Sequence, residues 1–182
     1  MKFFLLKFLK YFFVPLLLIA LLWVFYFLIY ANFHKVDKGF YRSAQLFSLN
    51  MPFYVEKYQI KSILNFRGES SASWYKNEIA YAKENNLSHY NYAIGDRREI
   101  KIEQMEEMVR LMKEAPKPLL IHCKAGADRT SLAAALYLHA VKNDHDADRE
   151  ISLLYGHFPW LGSKTYFMDQ SFENYRKLYP IE

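Results

Sequence analysis

The sequence predicts an α/β fold in which helices flank a central, mostly parallel sheet, preceded by one apolar helix at the N-terminus. Three observations favour this fold. From about His34 onward, short apolar runs alternate with longer segments of helical periodicity, which is typical of strand–helix–strand units. Before that point, Tyr11–Phe33 carries no charge. The length of 182 residues suits one domain of ordinary size plus an appendage.

The apolar N-terminal run predicts a membrane anchor over residues 1–33, followed by one domain over residues 34–182. A helix over Tyr11–Phe33 would reach roughly 34 Å, enough to cross a hydrocarbon core of about 30 Å. A cleaved signal peptide is the alternative, but the run is longer than the usual signal core and no small-residue cleavage site closes it. Asn32–Lys38 is the only segment that the sequence predicts to be a linker.

Three short apolar runs predict buried strands. The first, Ile60–Arg67, is rich in isoleucine and leucine. The second, Leu87–Ile94, is closed by Gly95, and the third, Leu119–Cys123, follows a turn marked by two prolines. Because helical segments separate these runs, they are expected to pair in parallel.

Helical patterns fill the intervals between the strands. Ser71–Asn86 ends at two asparagines, a common helix stop, and Ile100–Ala115 repeats apolar residues at helical spacing. A third helix is expected from about Arg129 to Val141. Two further helices are predicted within Asp146–His157 and Ser163–Tyr179.

Composition excludes several classes of function. The net charge of +5 owes three units to lysines within the first ten residues, and no basic stripe with interleaved aromatics indicates nucleic-acid binding. The single cysteine, Cys123, excludes an intramolecular disulfide and a zinc site built on cysteine pairs. The six histidines lack metal-ligand spacing. We therefore expect no metal, no other cofactor and no nucleic-acid partner.

The only cysteine lies within PLLIHCKAGADRTSLAAALYL (Pro118–Leu138), where a strand ends and a helix follows. Ligands of open α/β sheets bind beyond the carboxyl ends of the strands, and the N–H groups at a helix start form an anion site that favours a thiolate. Gly126 allows a tight turn, Arg129 can bind phosphate through two parallel N–H donors, and Thr130 can donate a hydrogen bond to the sulfur. A buried core cysteine is the alternative. The accompanying residues favour a phosphate-binding nucleophile.

HCKAGADRT (His122–Thr130) resembles the H-C-x5-R-[ST] signature of the cysteine-dependent tyrosine and dual-specificity phosphatases. The resemblance extends over Gly39–His157 and points to a bacterial, membrane-anchored, dual-specificity-like member. The chain departs from the pattern at Ser131, where the family usually has glycine. Three segments before the signature also resemble the family and occur in the order seen in bacterial, plant and fungal members. They are GFYRSAQL (Gly39–Leu46), ILNFRGES (Ile63–Ser70) and AIGDRREI (Ala93–Ile100).

The resemblance implies a phosphocysteine mechanism that needs no metal. Cys123 attacks phosphorus, Arg129 and the loop amides hold the phosphate oxygens, and Thr130 assists the sulfur. Asp96 is the expected general acid, with Glu99 and Asp128 as alternatives. Arg42 and Arg67 match family positions and are expected to be structural. The residues expected to bind phosphate are Lys124, Ala125, Gly126, Ala127 and Asp128, with His122 supporting the loop.

Substrate and location are further expectations. Protein phosphotyrosine is the expected substrate, with phosphoserine or phosphothreonine also open. The alternatives are a phospholipid such as phosphatidylglycerol phosphate, or a catalytically weak phosphate-binding module at the membrane. Basic residues flank the apolar run evenly, but its lysine-bearing start resembles a secretory signal. We therefore expect the catalytic domain outside the cytoplasm, in the periplasm if the source is a Gram-negative bacterium. The sequence carries no prediction of oligomeric state.

Overall fold

The structure, a computed structural model, describes residues 11–22, 25 and 30–181. Helix α1 covers residues 11–22, and its side chains are exposed throughout. Within the described ranges, no helix combines the length and apolar character that a membrane crossing requires. The predicted anchor lies partly outside these ranges, so it stays a prediction.

Five short strands form one mixed sheet. They are β1 (His34–Asp37), β2 (Phe40–Ser43), β3 (Ser62–Asn65), β4 (Ser88–Asn91) and β5 (Leu119–His122). The order across the sheet is β1-β2-β5-β3-β4, with β1 antiparallel to β2 and the other pairings parallel. The predicted, mostly parallel sheet is thereby confirmed. The linker prediction for Asn32–Lys38 is wrong, because this segment contains β1 and because Asn32 is fully buried.

Helices cover both faces of the sheet. They are α2 (Met51–Tyr58), α3 (Ser73–Glu84), α4 (Ile102–Glu114), α5 (Asp128–Lys142) and α6 (Tyr166–Leu178). One apolar cluster joins the sheet to α4, α5 and α6, and a second joins its other face to α2. The predicted helices that correspond to α3, α4, α5 and α6 are confirmed, whereas β1, β2 and α2 had no counterpart among the predicted elements.

The helix predicted within Asp146–His157 is wrong. Two 3-10 turns, Ala147–Glu150 and Leu153–Tyr155, occupy this segment. Two side chains distant in sequence donate hydrogen bonds to carbonyl groups of this segment. Arg42 donates to the Glu150 carbonyl at 3.0 Å, and Asn32 donates to the Tyr155 carbonyl at 2.8 Å. These carbonyls are therefore held by tertiary contacts rather than by the next helical turn.

Helix α5 is the central helix of the domain. Thr130–His139 is buried without interruption. The alanines Ala133, Ala134 and Ala135 leave room for α4 and α6 to pack against it. This packing fixes the N-terminus of α5 at the carboxyl end of β5.

The parallel register brings the strand ends to one edge. Ser43 and Asn65 both lie opposite His122, and Asn91 lies opposite Asn65. The loops that follow β2, β3, β4 and β5 therefore meet at the same edge of the sheet, which is where open α/β sheets bind ligands.

Candidate active site

Cys123 follows β5 directly, and its side chain is buried. The catalytic loop, residues 124–127, connects it to α5. None of the four loop N–H groups donates to another described residue, and the described residues supply no side-chain cap to α5. These N–H groups and the start of α5 are therefore available to an oxyanion. The predicted phosphate-binding residues 124–128 form this loop and the first residue of the helix.

Four consecutive carbonyl groups, from Cys123 to Gly126, accept hydrogen bonds from donors outside the loop. Because the C=O and N–H of one trans peptide unit point in opposite directions, fixing the carbonyls on one side directs the following N–H groups to the other. The donors are His122 to Cys123 (3.2 Å), the Gln45 N–H to Lys124 (3.2 Å), Asn32 to Ala125 (3.1 Å) and Arg42 to Gly126 (2.8 Å).

Gly126 makes the tight turn that the sequence predicts. Its φ is +69°, a conformation that side chains disfavour. A Cβ here would lie 2.6 Å from the Ala44 nitrogen and 2.7 Å from the Ser43 carbonyl oxygen. The loop thus passes directly over the end of β2, at a distance that only glycine permits.

Arg42 supports the loop from the protein interior. Its guanidinium is fully buried and binds the Glu150 carboxylate at 2.7 Å, the Gly126 carbonyl at 2.8 Å and the Ser131 hydroxyl at 2.6 Å. The Tyr155 ring lies 3.8 Å from it. Burial lowers the pKa of Arg42, and Glu150 opposes this effect. Ser131, the departure from the family pattern, therefore supplies an acceptor that glycine lacks.

Glu78 is a buried carboxylate that the sequence analysis missed. It accepts hydrogen bonds from His89 at 2.8 Å, from His122 at 3.2 Å and from Gln45. Burial alone raises the pKa of Glu78, but His122 and His89 together hold it well below the usual range. An ionised carboxylate therefore orients the histidine that precedes the nucleophile. The signal in the sequence was an acidic residue on the same helical face as Ala82, the apolar face of α3.

Arg129 and Asp96 meet at the mouth of the site. The Arg129 Nη2 atom lies 3.5 Å from the Asp96 Oδ2 atom, and Nη1 donates to the Phe66 carbonyl at 3.4 Å. The Asp96 side chain is 38% exposed, against 15% for Arg129, so solvent can reach the carboxylate. Thr130 is fully buried, and its hydroxyl has no partner among the residues described. The structure thus joins Asp96 to Arg129, whereas a bond from Thr130 to the sulfur is not seen.

The two alternative acids are engaged elsewhere. Glu99 accepts a hydrogen bond from Asn174 of α6 at 2.6 Å. Asp128 binds His157 at 2.8 Å, and the opposite ring nitrogen of His157 binds Asp169 at 2.8 Å. Asp96 is therefore the acid placed beside Arg129.

His157 makes stability depend on pH. Burial lowers its pKa, but hydrogen bonds to Asp128 and Asp169 raise it to about 9. The unfolded value is about 6.5, so this stabilisation is complete below pH 6.5 and is lost as pH rises through 9. We expect the Tm of the parent to fall more between pH 7 and pH 10 than that of His157→Gln. The difference should exceed about 2–4 °C, the shift that one kcal/mol gives at this size. Thermal melts of the two proteins at both pH values measure this, and an equal fall in Tm for both would contradict the role of His157.

A pocket of about 570 Å³ opens beside the catalytic loop. It is hereafter the leaving-group pocket. The Arg67 guanidinium stacks on the Trp74 ring at 3.4 Å and donates to Gln45 Oε1 at 2.9 Å. Burial and nearby Arg129 lower the pKa of Arg67. The residues that line the pocket are Ala44, Gln45, Phe47, Arg67, Trp74, Lys124 and Ala125. In the part of the chain that the structure describes, no cluster of acidic, histidine or cysteine side chains could hold a metal.

Comparison with solved structures finds this fold in several phosphatases. The core catalytic domain of the PP-IP phosphatase SIW14 from S. cerevisiae aligns with a TM-score of 0.64 and 20% identity, over 81% of this chain and 90% of that one. P. aeruginosa TpbA aligns with a TM-score of 0.62 and 17% identity, over 81% of this chain and 90% of that one. PTPMT1 aligns with a TM-score of 0.60 and 16% identity, over 81% of this chain and 98% of that one. At these identities the likeness shows the fold. No curated protein sequence matches the chain.

A family profile described as the tyrosine phosphatase family matches residues 27–137. The match spans more than half of the chain and includes Asp96, Cys123, the catalytic loop and Arg129. The prediction of the cysteine-based phosphatase family is thus confirmed. The chain belongs to the tyrosine phosphatase family.

Proposed function

We propose that this protein is a phosphatase that hydrolyses phosphate monoesters through a phosphocysteine at Cys123. The observation that carries the proposal is the catalytic loop, whose carbonyls are held outward by His122, Gln45, Asn32 and Arg42. The loop N–H groups and the start of α5 therefore converge where a transferring phosphoryl group carries its negative charge.

Two steps follow from this arrangement. The Cys123 thiolate attacks phosphorus, the bond from phosphorus to the leaving oxygen breaks, and Asp96 gives that oxygen its proton. Water then attacks phosphorus, Asp96 takes a proton from it, and the phosphorus–sulfur bond breaks to return the thiolate and release phosphate. Arg129 and the loop N–H groups bind the non-bridging oxygens throughout.

Protein phosphotyrosine is the substrate that we propose. The leaving-group pocket has two aromatic walls, Phe47 and Trp74, between which a phenyl ring can lie against the end of the catalytic loop. P. aeruginosa TpbA, which shares the fold, has been crystallised in complex with pTyr. A panel of phosphotyrosine and phosphoserine peptides beside lipid phosphates tests this proposal. Phosphate binding without turnover on every member of the panel would favour a binding module instead.

A phospholipid phosphatase is the second candidate. The observation in its favour is Asn32, which lies at the end of the apolar N-terminal run and binds the Ala125 carbonyl of the catalytic loop at 3.1 Å. Any membrane that receives the N-terminal run would therefore lie close to the site. Faster turnover of a lipid phosphate than of phosphotyrosine peptides would favour this candidate.

Arg129→Lys is expected to lower kcat/KM by about 10²–10³-fold on an aryl phosphate. A lysine supplies one point charge, whereas the guanidinium supplies two parallel donors to the phosphate oxygens. Release of phosphate from para-nitrophenyl phosphate measures the loss. Arg149→Lys is the matched control, because Arg149 is half exposed and pairs with Asp144 away from the loop. Parent-like rates for Arg129→Lys would contradict the assigned role.

We also propose that the apolar run before Ala31 anchors the protein in a membrane, with the catalytic domain outside the cytoplasm. The predicted boundary, an anchor over residues 1–33 and a domain over 34–182, is moved because Asn32 is buried in the domain and binds the catalytic loop. The exposed apolar side chains of α1 support an anchor, since lipid would cover them. Alkaline phosphatase is active only after export, so a fusion behind Glu182 is expected to be active in intact cells. An inactive but stably produced fusion would place the domain in the cytoplasm.

A further inference from the structure

We infer that a second pocket, next to the leaving-group pocket, binds an apolar side chain two residues away from the phosphotyrosine of an extended phosphopeptide. This inference rests on the proposed phosphatase function. The second pocket, hereafter the flanking pocket, has a volume of about 340 Å³. Its apolar walls are Leu46, Phe47, Leu49, Met51 and Trp74.

The two pockets share a wall. Phe47 and Trp74 line both of them, so a peptide whose phosphotyrosine lies in the leaving-group pocket has the flanking pocket directly beside it. Arg67, stacked at 3.4 Å, holds the Trp74 ring, and Gln45 in turn holds Arg67. The dividing wall is therefore fixed through Gln45, whose backbone N–H also holds the Lys124 carbonyl of the catalytic loop.

The size of the flanking pocket and its rim fit a peptide. Alternate side chains of an extended chain lie on the same side, about 6.4–6.8 Å apart, and strand-like peptides are read through pockets for alternate side chains. A volume of about 340 Å³ has room for a side chain of leucine or methionine size. Ser48 and Asn77, which hydrogen-bond to each other at 3.2 Å, give the pocket a polar rim suited to peptide backbone.

Charge and exposure point to the same occupant. Arg67 and Lys124 lie at the phosphate end, and neither pocket has a carboxylate among its described lining residues. An anionic phosphopeptide is therefore attracted rather than repelled. Leu49, at the outer wall, is 95% exposed, a position in which an apolar partner would remove it from water. A membrane lipid would instead need one continuous trough for its acyl chain, and Trp74 divides this one.

Matched phosphotyrosine peptides test the inference. The set carries leucine or serine at the second position before or after the phosphotyrosine, and kcat/KM is measured for each. We expect leucine to be preferred over serine by about tenfold on one side. In Leu49→Glu the preference should fall to about one. Leu154→Glu is the matched control, because this exposed leucine lies on a turn outside both pockets, and it should keep the tenfold preference.

The outcomes separate the inference from the proposed function. Leucine and serine peptides cleaved equally at both positions, with para-nitrophenyl phosphate still hydrolysed, would overturn the flanking pocket alone. Absence of turnover on every aryl phosphate would overturn the proposed function. A lipid phosphate cleaved at least tenfold faster than the best peptide would assign the groove to an acyl chain and overturn the peptide occupant. Leu49 is exposed, so its replacement leaves the core intact.

Discussion

Cys123→Ser is expected to lower turnover by at least about 10⁴-fold, while phosphate or substrate binding persists. A serine hydroxyl is a far weaker acid than a thiol, so it does not supply the anionic nucleophile that attacks phosphorus. The loop N–H groups and Arg129 remain in place, because groups outside the loop, among them His122 and Arg42, hold its carbonyls, and Arg129 donates to the Phe66 carbonyl. Phosphate release from para-nitrophenyl phosphate measures turnover, and calorimetry with a phosphotyrosine peptide measures binding.

The single thiol makes the control for this experiment simple. Alkylation of the parent can modify Cys123 alone, since the chain has one cysteine, and it should remove activity in step with thiol loss. Bound phosphate should protect the thiol. Turnover of Cys123→Ser equal to that of the parent, or full activity after complete alkylation, would reject the cysteine mechanism.

Asp96→Asn is expected to lower turnover on phenyl and alkyl phosphates by about 10²–10⁴-fold. These leaving groups need a proton, and Asp96 is the carboxylate that lies 3.5 Å from Arg129 at the mouth of the site. An ester with a very acidic leaving group needs no proton, so it should lose much less. The test is to measure kcat for a series of esters whose leaving groups differ in acidity. In the variant, kcat should fall more steeply than in the parent as the leaving group becomes less acidic.

Two other acidic residues serve as controls for this prediction. Glu99→Gln should change turnover little, because Glu99 is bonded to Asn174 on α6. Asp128→Asn should lower stability through the loss of its bond to His157. Parent-like rates of Asp96→Asn on phosphotyrosine would move the role of general acid to Glu99 or Asp128.

The sequence by itself determined the alternation of strands and helices and the position of the nucleophile. Apolar runs at Ile60–Arg67 and Leu119–Cys123 specify buried strands because a parallel sheet is covered on both faces. The spacing from Cys123 to Arg129 is local, since both belong to one strand–loop–helix unit. The loop, its glycine and the helix start were therefore readable from neighbouring residues alone.

Only the tertiary structure decided what holds the catalytic loop in shape. The donors Asn32 and Arg42 lie 93 and 84 residues before their acceptors, and Glu78 lies 44 residues before His122. None of these pairs follows a helical or strand period, so no pattern in the sequence reveals them. The same holds for Asp96 beside Arg129, which meet because β4 and β5 end at one edge of the sheet. Local periodicity specifies elements, whereas the partners of buried polar groups are chosen by the packing of elements distant in the chain.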